Sequence, residues 1–204
     1  WDAVNDVIKA SKEKDTISIT LNGAKVLPAT VLSEIKGKDI SLNLDMENGF
    51  IWKINGTSIT AETPADTDLS VTNTAEYIPA ALYSLISTNQ NDFGFHLGRS
   101  GAFNFPAVLS VKADGSCAGL MANLFWYDVE NGVLQCIQTV TVGGAFERSI
   151  PYADFILSKG QDYFIAFGTE SLNGRVVHTD GSITDENGAY LRPADAKISS
   201  HSID

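Results

Sequence analysis

Only two cysteines and three histidines occur among the 204 residues, and none stands in a metal-ligand spacing. Cys117 and Cys136 form no Cys-x-x-Cys pair, and His96, His178 and His201 are scattered, so neither a zinc site nor a thiol redox motif is indicated. No G-x-S-x-G, H-E-x-x-H, Walker or dinucleotide-binding glycine pattern is present, which leaves acyl transfer and metal-assisted hydrolysis without a motif. Basic residues are also few, 14 against 25 acidic ones, for a net charge of -11. Nucleic-acid backbones and anionic membrane surfaces need a basic patch, so neither is an expected partner, while neutral, hydroxyl-rich or cationic partners stay open. No apolar run approaches the roughly 20 residues that span a bilayer, so membrane insertion is not expected. The chain starts at Trp1 without an initiator methionine or a signal peptide, and reads as a module excised from a longer protein.

What is present is enough apolar material for a sizeable core: 44% hydrophobic and 19% charged residues, sufficient for one large domain or two small ones. The most informative pattern is a duplication, 51 residues apart. Asp15-Thr16-Ile17-Ser18-Ile19-Thr20 leads through Asn22 and Ala24 to Leu27-Pro28-Ala29 and on to Ile35. Asp66-Thr67-Asp68-Leu69-Ser70-Val71-Thr72 leads through Asn73 and Ala75 to Ile78-Pro79-Ala80 and on to Ile86. Each copy reads as a strand, a helix with proline in its first turn, and two further strands. Two copies predict a compact duplicated domain, since a solenoid generally needs at least three stacked units.

Along the chain, Trp1, Val4 and Ile8 mark a first amphipathic helix, and alternating Ile17, Ile19 and Leu21 a half-buried strand. Ile40, Leu42, Leu44 and Met46 alternate next, then Phe50, Trp52 and Ile54, which places Trp52 in the core. The second copy predicts a strand over 68–72, a helix over 79–87, and strands over 93–98 and 103–111, with Pro106 requiring an edge or a bulge. Strands are then expected over 117–128, 133–142, 145–150 and 162–167, with a helical turn at Pro151–Phe155. Residues 169–204, punctuated by Asn173-Gly174, Asp180-Gly181 and Asn187-Gly188, read as a polar hairpin-like extension or the start of a linker. The expected fold class is α+β and β-dominated: two related strand-helix-strand-strand units, at 1–62 and within 63–168, followed by an antiparallel β-meander, sandwich-like in architecture.

Asn131-Gly132 signals a two-residue hairpin, which would pair Glu130 with Val133 and Tyr127 with Cys136. Cys117 would then lie about 30 Å from Cys136 along the strand, so two buried free thiols are expected instead of a disulfide. In that register Met121, Phe125, Tyr127 and Cys136 share the core face, while Trp126 and Asp128 lie opposite Ile137 and Gln135 on the other. An indole beside amide and carboxylate groups suits a sugar ring, whose C–H face stacks while its hydroxyls are held. Two readings of Trp126 stand open, a ligand platform or a side chain covered by the helices of the duplicated units. Asp180 to Asp185 carry oxygen ligands at alternate positions but lack the glycine and distal glutamate of an EF-hand loop, and an Asp-Gly turn explains them better than calcium. Carboxylate pairs at glycosidase separation arise by chance among 25 acidic residues, so no catalytic residue and no enzyme activity is assigned.

Trp1-Asp2-Ala3-Val4 with Ile8 and Ala10, Asp15-Thr16-Ile17 with Leu21-Asn22-Gly23, Ala118-Gly119-Leu120-Met121-Ala122-Asn123-Leu124-Phe125-Trp126-Tyr127 and Asp162-Tyr163-Phe164-Ile165 together carry a family resemblance over residues 1 to about 167. The chain resembles modules of extracellular, often dockerin-bearing proteins of anaerobic gut Firmicutes, and within them the non-catalytic starch-adherence proteins of ruminococcal amylosomes. Met121 stands where a second aromatic is usual, and Trp126 where tyrosine is usual. The resemblance implies a bacterial cell-surface location and binding of α-glucan chains or starch without catalysis. It also implies neighbouring modules of the same chain as partners, dockerin and cohesin modules being the candidates. The expected ligand-binding residues are Trp126 to stack, Asp128 and Gln135 to orient hydroxyls, and Tyr127 and Arg99 after them, in a monomer that needs no cofactor or metal. The rival expectation is a structural spacer in a multimodular surface protein with no ligand of its own.

Overall fold

Residues 1–143 and 151–194 are described by the computed structural model. In chain order the elements are α1 (Asp2–Ala10), β1 (Thr16–Thr20), β2 (Val26–Leu27), α2 (Ala29–Ile35), β3 (Ser41–Asp45), β4 (Phe50–Asn55), β5 (Thr67–Asp68), β6 (Val71–Thr72), α3 (Ala80–Tyr83) and β7 (Phe93–Leu97). They continue with β8 (Ala102–Lys112), β9 (Met121–Asp128), β10 (Val133–Thr141), β11 (Tyr152–Lys159), β12 (Asp162–Gly168), β13 (Val176–Val177), β14 (Ile183–Thr184) and β15 (Tyr190–Arg192). This is the expected β-dominated α+β fold with mainly antiparallel sheets. No helix among the described residues is long and apolar enough to cross a membrane.

The chain makes two compact units, residues 1–72 with 97–112 and 154–161, and residues 73–96 with 113–153 and 162–204. These units interleave along the chain, and the consecutive division at 62 and 168 remains a statement of sequence pattern.

The first unit holds a sheet of order β1-β3-β4-β8-β11, in which β1 runs parallel to β3 and the β3–β4 and β4–β8 pairs are antiparallel. Alternation puts Leu42, Leu44, Phe50, Trp52 and Ile54 inside, all at most 2% exposed, as the sequence pattern requires. Trp52 is core, its indole N–H donating to the Leu69 carbonyl at 2.9 Å. Pro28 is the N-cap of α2, one position before the expected first-turn place, and its carbonyl accepts from the Val31 N–H at 3.1 Å. Proline has no side-chain acceptor to offer the helix. Asp66 supplies one from elsewhere, taking the Ala29 N–H at 2.7 Å.

The second copy of the repeat follows the first in outline. Pro79 caps α3 with φ near that of Pro28, but α3 is only four residues long and continues as turns through Ser87. The expected strand at 68–72 is broken into β5 and β6, because the Asp68 carboxylate draws the Ser70 N–H to itself at 2.8 Å. Pro106 lies in β8 outside the stretch Val108–Val111 that pairs with β4. The expected helical turn at Pro151–Phe155 is instead strand β11, where Ala153, Phe155 and Leu157 are buried and alternate with Asp154, Ile156 and Ser158. The predicted strand at 145–150 lies outside the described residues.

In the second unit the strands run in the order β15-β14-β13-β10-β9-β12-β7. The polar C-terminal segment is therefore built into the sheet edge up to Arg192, with Val177 fully buried. Its Asp180-Gly181 is an Asx turn: Asp180 accepts from the Ser182 N–H at 2.9 Å, and its bonds to Ser182 hold the carboxyl below the usual range. One face of this sheet carries Phe125, Tyr127, Leu134, Cys136, Phe164 and Val177, and α3 packs onto it through Leu82, with Ile86 of the following turns beside it. Upstream of α3, Asp162 anchors the chain. It is fully buried, accepts hydrogen bonds from the Tyr77 and Ile78 N–H groups, and lies 2.7 Å from His96 Nδ1.

Both cysteines are buried and free, as expected. Burial pushes the Cys117 thiol up and holds Cys136 up at about 11, so both are protonated at neutral pH.

Candidate functional site

The hairpin joining β9 and β10 departs from the register expected of a two-residue Asn-Gly turn. Val133 pairs with Asp128, Leu134 with Tyr127, Gln135 with Trp126 and Cys136 with Phe125, so the loop is four residues long, 129–132. The cause is Asp128. Its carboxylate accepts from the Glu130 N–H, the Asn131 N–H and the Asn131 side-chain amide, at 3.2, 3.3 and 2.7 Å, while its carbonyl takes the Gly132 N–H at 2.7 Å. Gly132 supplies the positive φ, +67°, that closes the loop. The shift of two residues preserves which face each side chain occupies near the turn. A bulge between Cys136 and Gln138 then changes the register by one, leaving Ile137 exposed and bringing Thr139 opposite Asn123.

Trp126 is directly opposite Gln135 on one side and Tyr163 on the other, and Tyr163 is opposite Phe95. Cross-strand partners share a face, so these four form one row across the sheet. Its inner end is dry: Tyr163 and Phe95 are fully buried and stacked, with ring centroids 5.2 Å apart, and desolvation pushes the Tyr163 phenol far up. Its outer end, Trp126 and Gln135, is half-buried. Leu124 and Ile165 on the same face are fully buried, so both faces of this sheet are interior and Trp126 lies where one of them reaches the surface. Helix α3 packs on the opposite face and does not cover the indole.

The structure brings together part of the expected set. Trp126 and Gln135 are paired, and Asp128 is on their face by alternation, though its carboxylate is taken up by the loop. Tyr127 points into the apolar face under α3 and is only 8% exposed. Arg99 belongs to the first unit, donating to the Ala102 carbonyl from Nε and Nη2 and lying over the Phe103 ring at 5.6 Å.

A cleft of about 490 Å³ opens elsewhere in the second unit, between the turns after α3 and the segment 166–175, with Ile183 of β14 beside it. Leu85, Ile86, Leu172 and Ile183 line its apolar part, and Asn89, Glu170 and Arg175 its polar part. Arg175 Nη2 donates to Glu170 Oε1 at 2.8 Å. The wall that carries Glu170 is fixed by Asn123, 1% exposed. Its Oδ1 accepts from Thr139 Oγ1 at 2.7 Å and the Leu172 N–H at 2.8 Å, while Nδ2 donates to the carbonyls of Ala166 and Glu170. An amide is needed because the site asks for two acceptances and two donations from one side chain. Asn123→Ala is expected to lower stability by about 2–3 kcal/mol, the cost of stranding these buried partners. Chemical denaturation measures this, and a loss below about 0.5 kcal/mol would show that Asn123 does not fix the wall.

No motif marks this cleft in the sequence, and its one readable signal is a lone asparagine inside the apolar run Ala122 to Phe125. Compared with protein-family models, with curated proteins and with solved structures, the chain matches none.

Proposed function

We propose that this chain is a non-catalytic carbohydrate-binding module of a bacterial cell-surface protein, holding starch-type α-glucans through Trp126. The observation that carries the reading is the half-buried indole directly opposite the half-buried Gln135 amide. An aromatic plane stacks on the C–H face of a pyranose, and an amide both donates to and accepts from its hydroxyls. The buried end of the same row, Tyr163 stacked on Phe95, holds the platform on rigid strands. The acidic balance of the chain suits a neutral polyhydroxylated partner, and the resemblance to starch-adherence modules points to α-linked glucose. Partners in this reading are the glucan and neighbouring modules of the same surface protein.

A second reading, a spacer module without a ligand, is favoured by one set of positions. Asp128 is engaged by its own loop, Tyr127 is buried and Arg99 belongs to the other unit, which leaves Gln135 as the hydroxyl-orienting group beside Trp126.

Intrinsic fluorescence separates the two. Titration with maltotriose and glycogen is expected to give a saturable change that Trp126→Ala reduces sharply. Binding that Trp126→Ala leaves at the strength of the unsubstituted chain moves the site to another surface, and a flat titration for the unsubstituted chain favours the spacer.

A further inference from the structure

A further group of polar side chains gathers around Asp162. Tyr77 is 48% exposed, although the backbone that carries it is bonded to a buried side chain. Its N–H and that of Ile78 donate to the fully buried carboxylate of Asp162. The same carboxylate lies 2.7 Å from His96 Nδ1, which fixes the imidazole plane and turns Nε2 away from the anchor. The Tyr77 ring meets the imidazole at 5.8 Å between centroids, inclined by 61°. His96 Nε2 stands 3.6 Å from Glu76 Oε2, beyond a hydrogen bond, and the Glu76 side chain is 53% exposed. The segment also passes close over Gly94, where a Cβ would come within 2.8 Å of the Ala75 Cβ.

We infer that Tyr77, Glu76 and His96 form a second sugar-binding contact, taking a glucosyl unit by stacking on Tyr77 and by its vicinal hydroxyls on Glu76 and His96 Nε2. With Nδ1 donating to Asp162, the neutral imidazole presents Nε2 as an acceptor, and the nearby carboxylate is another. Two acceptors 3.6 Å apart suit two adjacent hydroxyl donors, and an exposed phenol ring beside them offers the apolar plane. The fold itself does not ask for these residues. In the first copy of the repeat the corresponding positions are Lys25 and Val26, and there Val26 and Leu27 pair with strand β5 instead of reaching a buried acid.

This contact rests on the glycan reading and extends it. Asp162 neighbours Tyr163 in β12, so its side chain leaves the sheet on the face opposite that of Trp126. Two contacts on opposite faces cannot serve one short oligosaccharide together. They can engage two strands of a polymer, where the second event is intramolecular and raises avidity without any new residue.

The test uses the whole chain on insoluble starch granules and on maltotriose, as the wild type, Tyr77→Ala, Tyr77→Phe, Trp126→Ala and the double variant. Tyr77→Ala is expected to weaken retention on granules about tenfold or more, through lost avidity, while Tyr77→Phe retains it. The double variant is expected to bind neither ligand. Granule binding by Tyr77→Ala equal to the wild type, with Trp126→Ala non-binding, overturns the second contact and leaves the glycan reading intact. A wild type retained by neither ligand overturns both. Thermal melting of each variant checks that the fold persists, which the exposure of Tyr77 leads us to expect.

Discussion

Asp162→Ala is expected to lower the unfolding free energy by about 3–5 kcal/mol, among the largest effects of any single substitution in the second unit. The carboxylate is fully buried and holds three partners: the Tyr77 and Ile78 N–H groups and His96 Nδ1. Alanine removes one acceptor group and strands three polar partners, and an unmade buried hydrogen bond costs more than a made one contributes. Asp162→Asn should lose less, because its carbonyl oxygen still serves either the two N–H groups or the imidazole, though not both. Urea unfolding at neutral pH gives both values. A loss under about 1 kcal/mol for the alanine variant would mean that the segment before α3 is held by something other than this carboxylate.

Gly56→Ala is expected to cost about 3 kcal/mol or more in the first unit, by a different mechanism. A Cβ at this position would lie 1.9 Å from the Ile35 carbonyl oxygen and 2.4 Å from that of Lys38. Both are backbone atoms, one at the last residue of α2 and one in the turn after it, so no side-chain rotation relieves the overlap. The same residue accepts the Gly37 N–H at 2.9 Å and donates to the Ile40 carbonyl at 3.0 Å, tying the helix end to the strands on either side. Moving the chain to admit a methyl group breaks those bonds as well. By contrast Gly115→Ala meets no atom within 4 Å and should change stability little. Differential scanning calorimetry of the two variants makes the comparison, and equal melting temperatures would contradict it.

The fold was readable where side chains alternate without interruption. Phe50, Trp52 and Ile54 announced their strand and its buried face, and the indole is buried as the period requires. Strand β11 has the same signal in Ala153, Phe155 and Leu157, but Pro151 and Asp154 are turn-favouring residues that mask the period locally. The hairpin shows a further limit. Asn-Gly is a two-residue signal only when no nearby side chain competes for the loop N–H groups, and Asp128 does compete. The bulge beyond Cys136 carries no sequence mark at all.

The site was legible in part for a related reason. Trp126 and Gln135 could be brought together because a two-residue slip keeps faces unchanged, whereas their half-buried state depends on what covers each face of the sheet. The cleft and the Tyr77 group could not be read in advance. Their walls come from segments far apart in sequence, 85–89 with 166–175 and 76–77 with 96 and 162; the buried Asn123 holds residues 166–172 of the first, and the buried Asp162 joins the second. A polar residue within an apolar run shows that a partner exists, but its identity appears only when the strands are in register.

The most direct measurement is isothermal titration calorimetry of the unsubstituted chain with a maltooligosaccharide and with a cellooligosaccharide of the same length. A saturable heat is expected with the α-linked chain and none with the β-linked one. Absence of heat with both would contradict glycan binding and leave the spacer reading in its place.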